Sequence, residues 1–253
     1  MFRYLTNFLS DPRAAIMFFL LAIPGRLMAI SAHEFAHAWV ADKCGDHTAR
    51  MMGRLTLNPL KHLDLVGTLM MLLLGFGWAR PVPVNPRNYR NYRRDDLLVS
   101  IAGIAMNLLL FVLSFFVCAA MIFVIMRGAG ASGDQARDFV YYAAYIDSDY
   151  IAMLSGSRLL GYAYEMLTYF VLVNISLAIF NLLPVPPLDG YHVLNDLVLR
   201  RDLFASGQVA RAATGILFLL MFTGYLGTIL SYAVSTVLGW VGTAAQALFI
   251  LFP

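Results

Sequence analysis

Charge is what this chain of 253 residues has least of. Asp, Glu, Lys and Arg make up 13% of it, about half the ~25% of a soluble domain. Apolar residues make up 60%, and the mean hydropathy is +0.71. That scarcity excludes a water-soluble enzyme. The net charge of +3 comes from arginines beside apolar runs, which is the pattern of membrane loops, so nucleic acid is excluded as a partner. Cysteine is almost as scarce. Cys44 and Cys118 cannot build a disulfide framework and read as packing residues. Also lacking are internal repeats, low-complexity tracts and a hydrophilic stretch long enough for an inserted soluble domain. The first ten residues hold one arginine and no small-residue cleavage site, so no cleavable signal peptide is expected. The expectation is a single membrane-embedded domain over 1–253, with its core at about 14–199 and a C-terminal helical hairpin at about 209–252.

Several apolar runs approach or exceed the ~20 residues that cross a ~30 Å hydrocarbon core. The fold class is therefore an all-α polytopic membrane protein with about five to six membrane helices. Ser10-Asp11-Pro12 starts the first helix, Gly45 ends it, and Pro24-Gly25 offers a break between. Further helices are expected at about Leu97–Arg127, Ser157–Leu183, Arg211–Leu226 and Ile229–Leu251, the last two as a tight hairpin. Val66–Trp78 is too short for a comfortable crossing. Basic residues flank it on both sides: Arg50, Arg54 and Lys61 before, Arg80, Arg87, Arg90, Arg93 and Arg94 after. A crossing would put the two basic loops on opposite faces of the membrane, whereas a re-entrant turn keeps both in the cytoplasm. The acidic loop Gly128–Gly156 then reads as external, and Gly190–Gln208, with Arg200 and Arg201, as internal again.

Within the first apolar run stands His33-Glu34-Phe35-Ala36-His37. On a helix, residues four apart share a face, so His33 and His37 can bind one zinc ion. Glu34 can reach a water at that ion without being a ligand. A catalytic zinc usually takes three protein ligands. The candidate third is Asp189, in Asn181-Leu182-Leu183-Pro184-Val185-Pro186-Pro187-Leu188-Asp189-Gly190. An ionisable residue among prolines at the end of an apolar helix is a functional candidate, although Asp189 also suits a helix cap.

With these two motifs the chain resembles the site-2 protease family of intramembrane zinc metalloproteases. His33–His37 matches its HExxH, and Asn181–Gly190 matches its N-x-x-P-x-P-x-x-D-G pattern. Gly53-Arg54-Leu55-Thr56-Leu57-Asn58-Pro59-Leu60 and Phe76-Gly77-Trp78-Ala79-Arg80-Pro81-Val82-Pro83-Val84-Asn85-Pro86 are similar to a compact subgroup without an inserted peptide-binding domain. The resemblance implies His33, His37 and Asp189 as ligands of one Zn2+ per chain and Glu34 as general base. One departure is Gly103-Ile104-Ala105-Met106-Asn107, where members often carry a Gly-Pro pair a few residues before the asparagine.

An intramembrane endopeptidase must also stabilise an oxyanion and bind an unwound substrate. Asn181, with Asn174 seven residues earlier on the same helix face, is a candidate for the first task or for holding substrate; interhelical bonding is the alternative for both. In an extended Pro81–Pro86, the amides of Val82 and Val84 point to one edge, and Pro81 and Pro83 leave the other without donors. That edge could pair with a substrate backbone. The expected partners are a transmembrane protein or membrane-bound peptide and the lipid bilayer. The expected location is a bacterial cell membrane, with the site toward the cytoplasm. A catalytically silent scaffold and a metal or solute transporter are the alternatives. His192 is expected at the interface or behind a ligand, and His47 and His62 are expected to be solvated. Arg26 is expected to snorkel or pair with an acidic group.

Overall fold

The computed structural model describes residues 12–74, 77–199 and 206–251. The expected Ser10-Asp11 cap, Phe76 and Arg200-Arg201 lie outside these residues. Four described helices are long and apolar enough to cross a membrane: Ile16–Cys44 within helix α1 (Pro12–Cys44), Tyr92–Gly128 (α4), Arg158–Asn181 (α7), and a span beginning at Tyr225 that contains α10 (Tyr225–Leu248). Gly207–Thr223 (α9) is a shorter apolar helix. This is an all-α polytopic membrane protein.

Helix α1 runs unbroken through Pro24, so the expected break at Pro24-Gly25 is corrected. Proline removes one intrahelical hydrogen bond, a loss that membrane helices tolerate where neighbours pack against them. The neighbour here is α7: a Cβ on Gly25 would stand 3.4 Å from Phe170 Cβ. Gly45 ends the helix with φ of +110°, and the Asp46 N–H closes back on the Ala41 carbonyl at 2.9 Å. A single turn, α2 (Thr48–Met51), follows.

The segment after it turns back on itself. Helix α3 (Leu65–Leu74) begins where Asp64 accepts from the Gly67 N–H at 2.7 Å. The chain then returns so that Ala79 forms an antiparallel bridge with Leu63, and the Arg80 N–H donates to the His62 carbonyl at 2.8 Å. Gly67 is required there because a Cβ would strike the Trp78 carbonyl. Entry and exit lie side by side, which is the re-entrant geometry expected from the charges. The Leu63–Ala79 bridge is the only strand pairing among the described residues. The segment from Arg80 to Asn85 forms no helix and joins no sheet, and Asn85 at its end is extended.

Helices α1, α4 and α7 pack on one another, and α4 and α7 bury Phe111, Phe115, Ile122, Tyr164, Val171 and Ile175 between them and the helices that follow. Outward faces carry exposed Leu109, Leu113, Val117, Val124 and Trp240, an apolar surface suited to lipid. Between α4 and α7, where a loop was expected, stand α5 (Gly133–Tyr141) and α6 (Ser148–Ser155). Their start signals are in the sequence: a reciprocal capping box of Ser132 and Gln135, and Asp147 capping the second. After the proline tract comes α8 (Asp189–Val193), which continues into a π-helical turn, Leu194–Leu199. Gly224, with φ of +83°, is the single residue between α9 and α10.

Candidate metal centre

The geometry begins with the four-residue spacing on α1. It stacks His33 over His37, with Nε2 atoms 3.0 Å apart. Asp189, the first residue of α8, brings Oδ2 to 3.3 Å from each of them. Asp189 is not the cap of this helix: the cap position is Leu188, with no side-chain capping bond.

The second nitrogen of each ring decides what these three atoms are. His37 Nδ1 lies 2.7 Å from the Val99 carbonyl, which can only accept, so Nδ1 carries the hydrogen and Nε2 a lone pair. His33 Nδ1 lies 2.7 Å from Asn107 Oδ1. The Asn107 amide is oriented by its other end, where Nδ2 donates to the Ala29 carbonyl at 3.2 Å and to Asn174 Oδ1 at 2.8 Å. His33 Nε2 therefore also presents a lone pair. Two imidazole nitrogens and a carboxylate oxygen converge, all of them acceptors, and Asp189 Oδ2 is buried without a hydrogen-bond donor. Such a cluster repels itself unless a cation joins it, and two nitrogens with one carboxylate oxygen is a zinc donor set. Among the described residues, this is the one group of three whose ligand atoms fit a metal ion, all within 4.8 Å of one another.

Room for the imidazoles comes from Gly103 on α4. A Cβ there would overlap His37 Nε2 and the His33 ring. The motif that departs from the family's Gly-Pro pattern thus supplies both the space, at Gly103, and the hydrogen-bond support, at Asn107. Neither residue was assigned a role from sequence, although an asparagine in the middle of an apolar helix was a visible signal.

Asn174 is fully buried and engaged at both ends. It accepts from Asn107 and donates to the Phe170 carbonyl at 2.8 Å. Its place is behind His33, not facing a substrate, which corrects the expectation of an oxyanion or substrate role. Asn181, at the end of α7, donates to the Leu177 carbonyl at 3.0 Å. Val82 is corrected in part: its N–H does not face an open edge but donates to Glu34 Oε2 at 2.7 Å. Val84 makes no hydrogen bond through its amide among the described residues.

The flanking histidines divide. His47 is half exposed and pairs with Asp42 at 2.7 Å. His62 is 1% exposed, contrary to expectation, because the re-entrant segment covers it and its Nε2 donates to the Thr56 carbonyl at 2.7 Å. His192 Nδ1 meets Asp96 Oδ2 at 3.1 Å. That bond outweighs burial and raises its pKa above the ordinary imidazole value. Arg26 stacks over the Phe18 ring at 5.5 Å, with Nη1 buried and without an acceptor.

The sequence profile of peptidase family M50 matches residues 18–223, most of the chain. The chain belongs to peptidase family M50. The match contains all three converging side chains and the Glu34 beside them. This M50 peptidase is 36% identical over 222 residues, 88% of its length and 87% of the relative's, to the Bacillus subtilis protein named "Putative zinc metalloprotease YwhC". It is 30% identical over 188 residues to the Mycolicibacterium smegmatis "Putative zinc metalloprotease Rip2", where the match covers 72% of this chain and 59% of the relative. The Rip2 protein of Mycobacterium tuberculosis H37Rv is 30% identical over 190 residues, 73% of this chain and 60% of the relative. No solved structure matches. The M50 peptidase described here is thus a multi-pass membrane metalloprotease, and zinc is the metal named by its relatives.

Proposed function

We propose that the chain is a zinc-dependent intramembrane endopeptidase. It would hydrolyse peptide bonds within or beside transmembrane segments of substrate proteins, with one zinc held by His33, His37 and Asp189. The observation that carries this reading is the convergence of three buried acceptors 3.0–3.3 Å apart, a group that does not include the neighbouring Glu34 carboxylate. A zinc ion held there supplies Lewis acidity to a water and to the scissile carbonyl. The rest falls to the chain. Glu34 accepts the proton of the water and returns it to the leaving amine. Asn107 and the Val99 carbonyl keep both imidazoles in the tautomer that ligation needs. An unwound substrate presents backbone groups that must find partners away from water, and the Val84 N–H supports pairing along the Arg80–Asn85 segment. The basic loops around Arg50, Lys61, Arg87 and Arg90 support a cell-membrane protein with its site toward the cytoplasm.

The test is metal content and turnover together. Purified wild type should hold about one zinc per chain, as the usual three-ligand site requires, and cut a transmembrane peptide. Asp189→Ala should lose the metal, and Glu34→Gln should keep it while cutting nothing. A folded wild type without zinc would overturn the reading, and zinc retained in Asp189→Ala would remove Asp189 from the ligand set.

A further inference from the structure

The general base is held by a backbone segment, and that segment is held by an arginine the chemistry above does not use. Arg54 follows α2, its N–H donating to the Ala49 carbonyl at 2.8 Å. Its residue surface is only 7% exposed. Nη2 donates to the Arg80 carbonyl at 2.7 Å and to the Pro81 carbonyl at 3.2 Å. The next residue is Val82, whose N–H meets Glu34 Oε2 at 2.7 Å. Further along, the Asn85 N–H and the Asn88 side chain bind the buried Asp46 carboxylate at 2.7 and 2.8 Å. Pro81 and Pro83 have no N–H to tie the segment elsewhere.

Burying a guanidinium is costly unless it is paired or hydrogen-bonded, and what Arg54 binds is the pair of carbonyls on this segment. Burial, and the nearby Arg80 charge, weaken the hold of Arg54 on its proton, while Glu34 opposes them. Arg54 Nε is buried without an acceptor, so the side chain is not arranged for its own satisfaction. What it does satisfy is two adjacent carbonyls, two and one residues upstream of the Glu34 contact. Val82 itself is buried against Ala38 and Ala49, so the segment has a packed face as well as a clamped edge.

We propose that Arg54 is a positioning residue for the general base. By fixing the Arg80 and Pro81 carbonyls it sets the height of the Val82 N–H, which pins one oxygen of Glu34 and turns the other toward the reacting water. This rests on the protease reading above. It adds that the Arg80–Asn85 segment serves the catalytic carboxylate as well as the substrate.

The experiment compares Arg54→Met and Arg54→Lys with wild type in zinc-loaded, detergent-purified protein. Three readouts are taken: zinc content, hydrogen exchange over residues 79–85, and kcat and KM for a transmembrane peptide. In Arg54→Met, zinc content should equal wild type and exchange at 79–85 should quicken. A misplacement of the base by a fraction of an ångström should lower kcat by about tenfold or more, with little change in KM. Arg54→Lys keeps the charge and one donor nitrogen, so it should recover part of the loss and guards against a Met variant that fails to fold. Wild-type exchange at 79–85 in Arg54→Met overturns the proposal whether or not any peptide is cut. Faster exchange with unchanged kcat, or a rise in KM alone, overturns it too. A wild type that cuts nothing overturns the protease reading, and the exchange result still decides whether Arg54 holds the segment.

Discussion

At the scale of single residues, the centre is governed as much by what stands behind the ligands as by the ligands. Asn107 is the clearest case. Its carboxamide oxygen takes the His33 Nδ1 hydrogen at 2.7 Å, and its nitrogen is spent on Ala29 and Asn174. Replacing it with alanine frees the His33 ring to rotate and to exchange tautomers. Supporting residues of this kind typically change metal affinity by about 10–100-fold. Asn107→Ala should therefore bind zinc more weakly by that order in a competition titration against a chelator, with the helices intact by circular dichroism. Undiminished affinity would show that His33 is oriented by packing alone. The ligand types were legible in the sequence because the histidines are four apart on one helix and the carboxylate sits in a proline tract. Gly103 and Asn107 were not, because their roles depend on which face of α4 meets α1, and periodicity within one helix does not encode its neighbour. Asn174 misled for the same reason: seven residues from Asn181 puts both on one face of α7, and Asn174 bonds to α4 through Asn107 while Asn181 bonds within its own helix.

At the scale of elements, hydropathy and charge read well where the chain obeys the membrane and less well where it obeys local bonds. The long helices and the re-entrant segment followed from run length and arginine placement. The short helices α5 and α6 did not, since polar amphipathic turns leave no long apolar run, although their caps were written at Ser132 and Asp147. Nor did the continuity of α1 through Pro24, which is decided by the approach of α7 to Gly25. The Arg80–Asn85 segment is where element and function meet. Its Val82 N–H is committed to Glu34 and its Val84 N–H is not. Val84→Pro removes the uncommitted donor and leaves the committed one. Cleavage of a transmembrane peptide should fall by about fivefold or more, as expected for loss of a hydrogen bond worth roughly 1 kcal/mol, with zinc content unchanged. Unchanged turnover would remove Val84 from the substrate path.

At the scale of the whole molecule, the metal centre is also a clasp. Two ligands come from α1, early in the chain, and the third from α8, after the helix α7 that packs on both α1 and α4. Three mutually repelling acceptors at 3.0–3.3 Å favour separation of α8 from α1 when no cation is held. A ligand that binds only the folded state stabilises it in proportion to the logarithm of its concentration over Kd. Chelation should thus lower the unfolding temperature of the purified protein, and added zinc should restore it. In Glu34→Gln, whose ligands are intact, the same shift should appear without turnover. A protein whose melting is indifferent to chelator would have its helices held by packing alone.

The return of the chain from Leu63 to Ala79 has a consequence best put as parity. Each crossing of the membrane carries the chain to the opposite face, so whether two distant residues share a face depends on whether the crossings between them are even or odd. From His37 at the far end of α1 to Asp189 at the start of α8, the chain crosses by α4 and again by α7: an even number. Had α3 been long enough to pass through, the count would be odd, and Asp189 would stand a membrane's thickness from the histidines. The ten residues of α3 and the bridge that closes behind them keep the count even, and so allow one ion to be shared by residues more than 150 positions apart in the sequence.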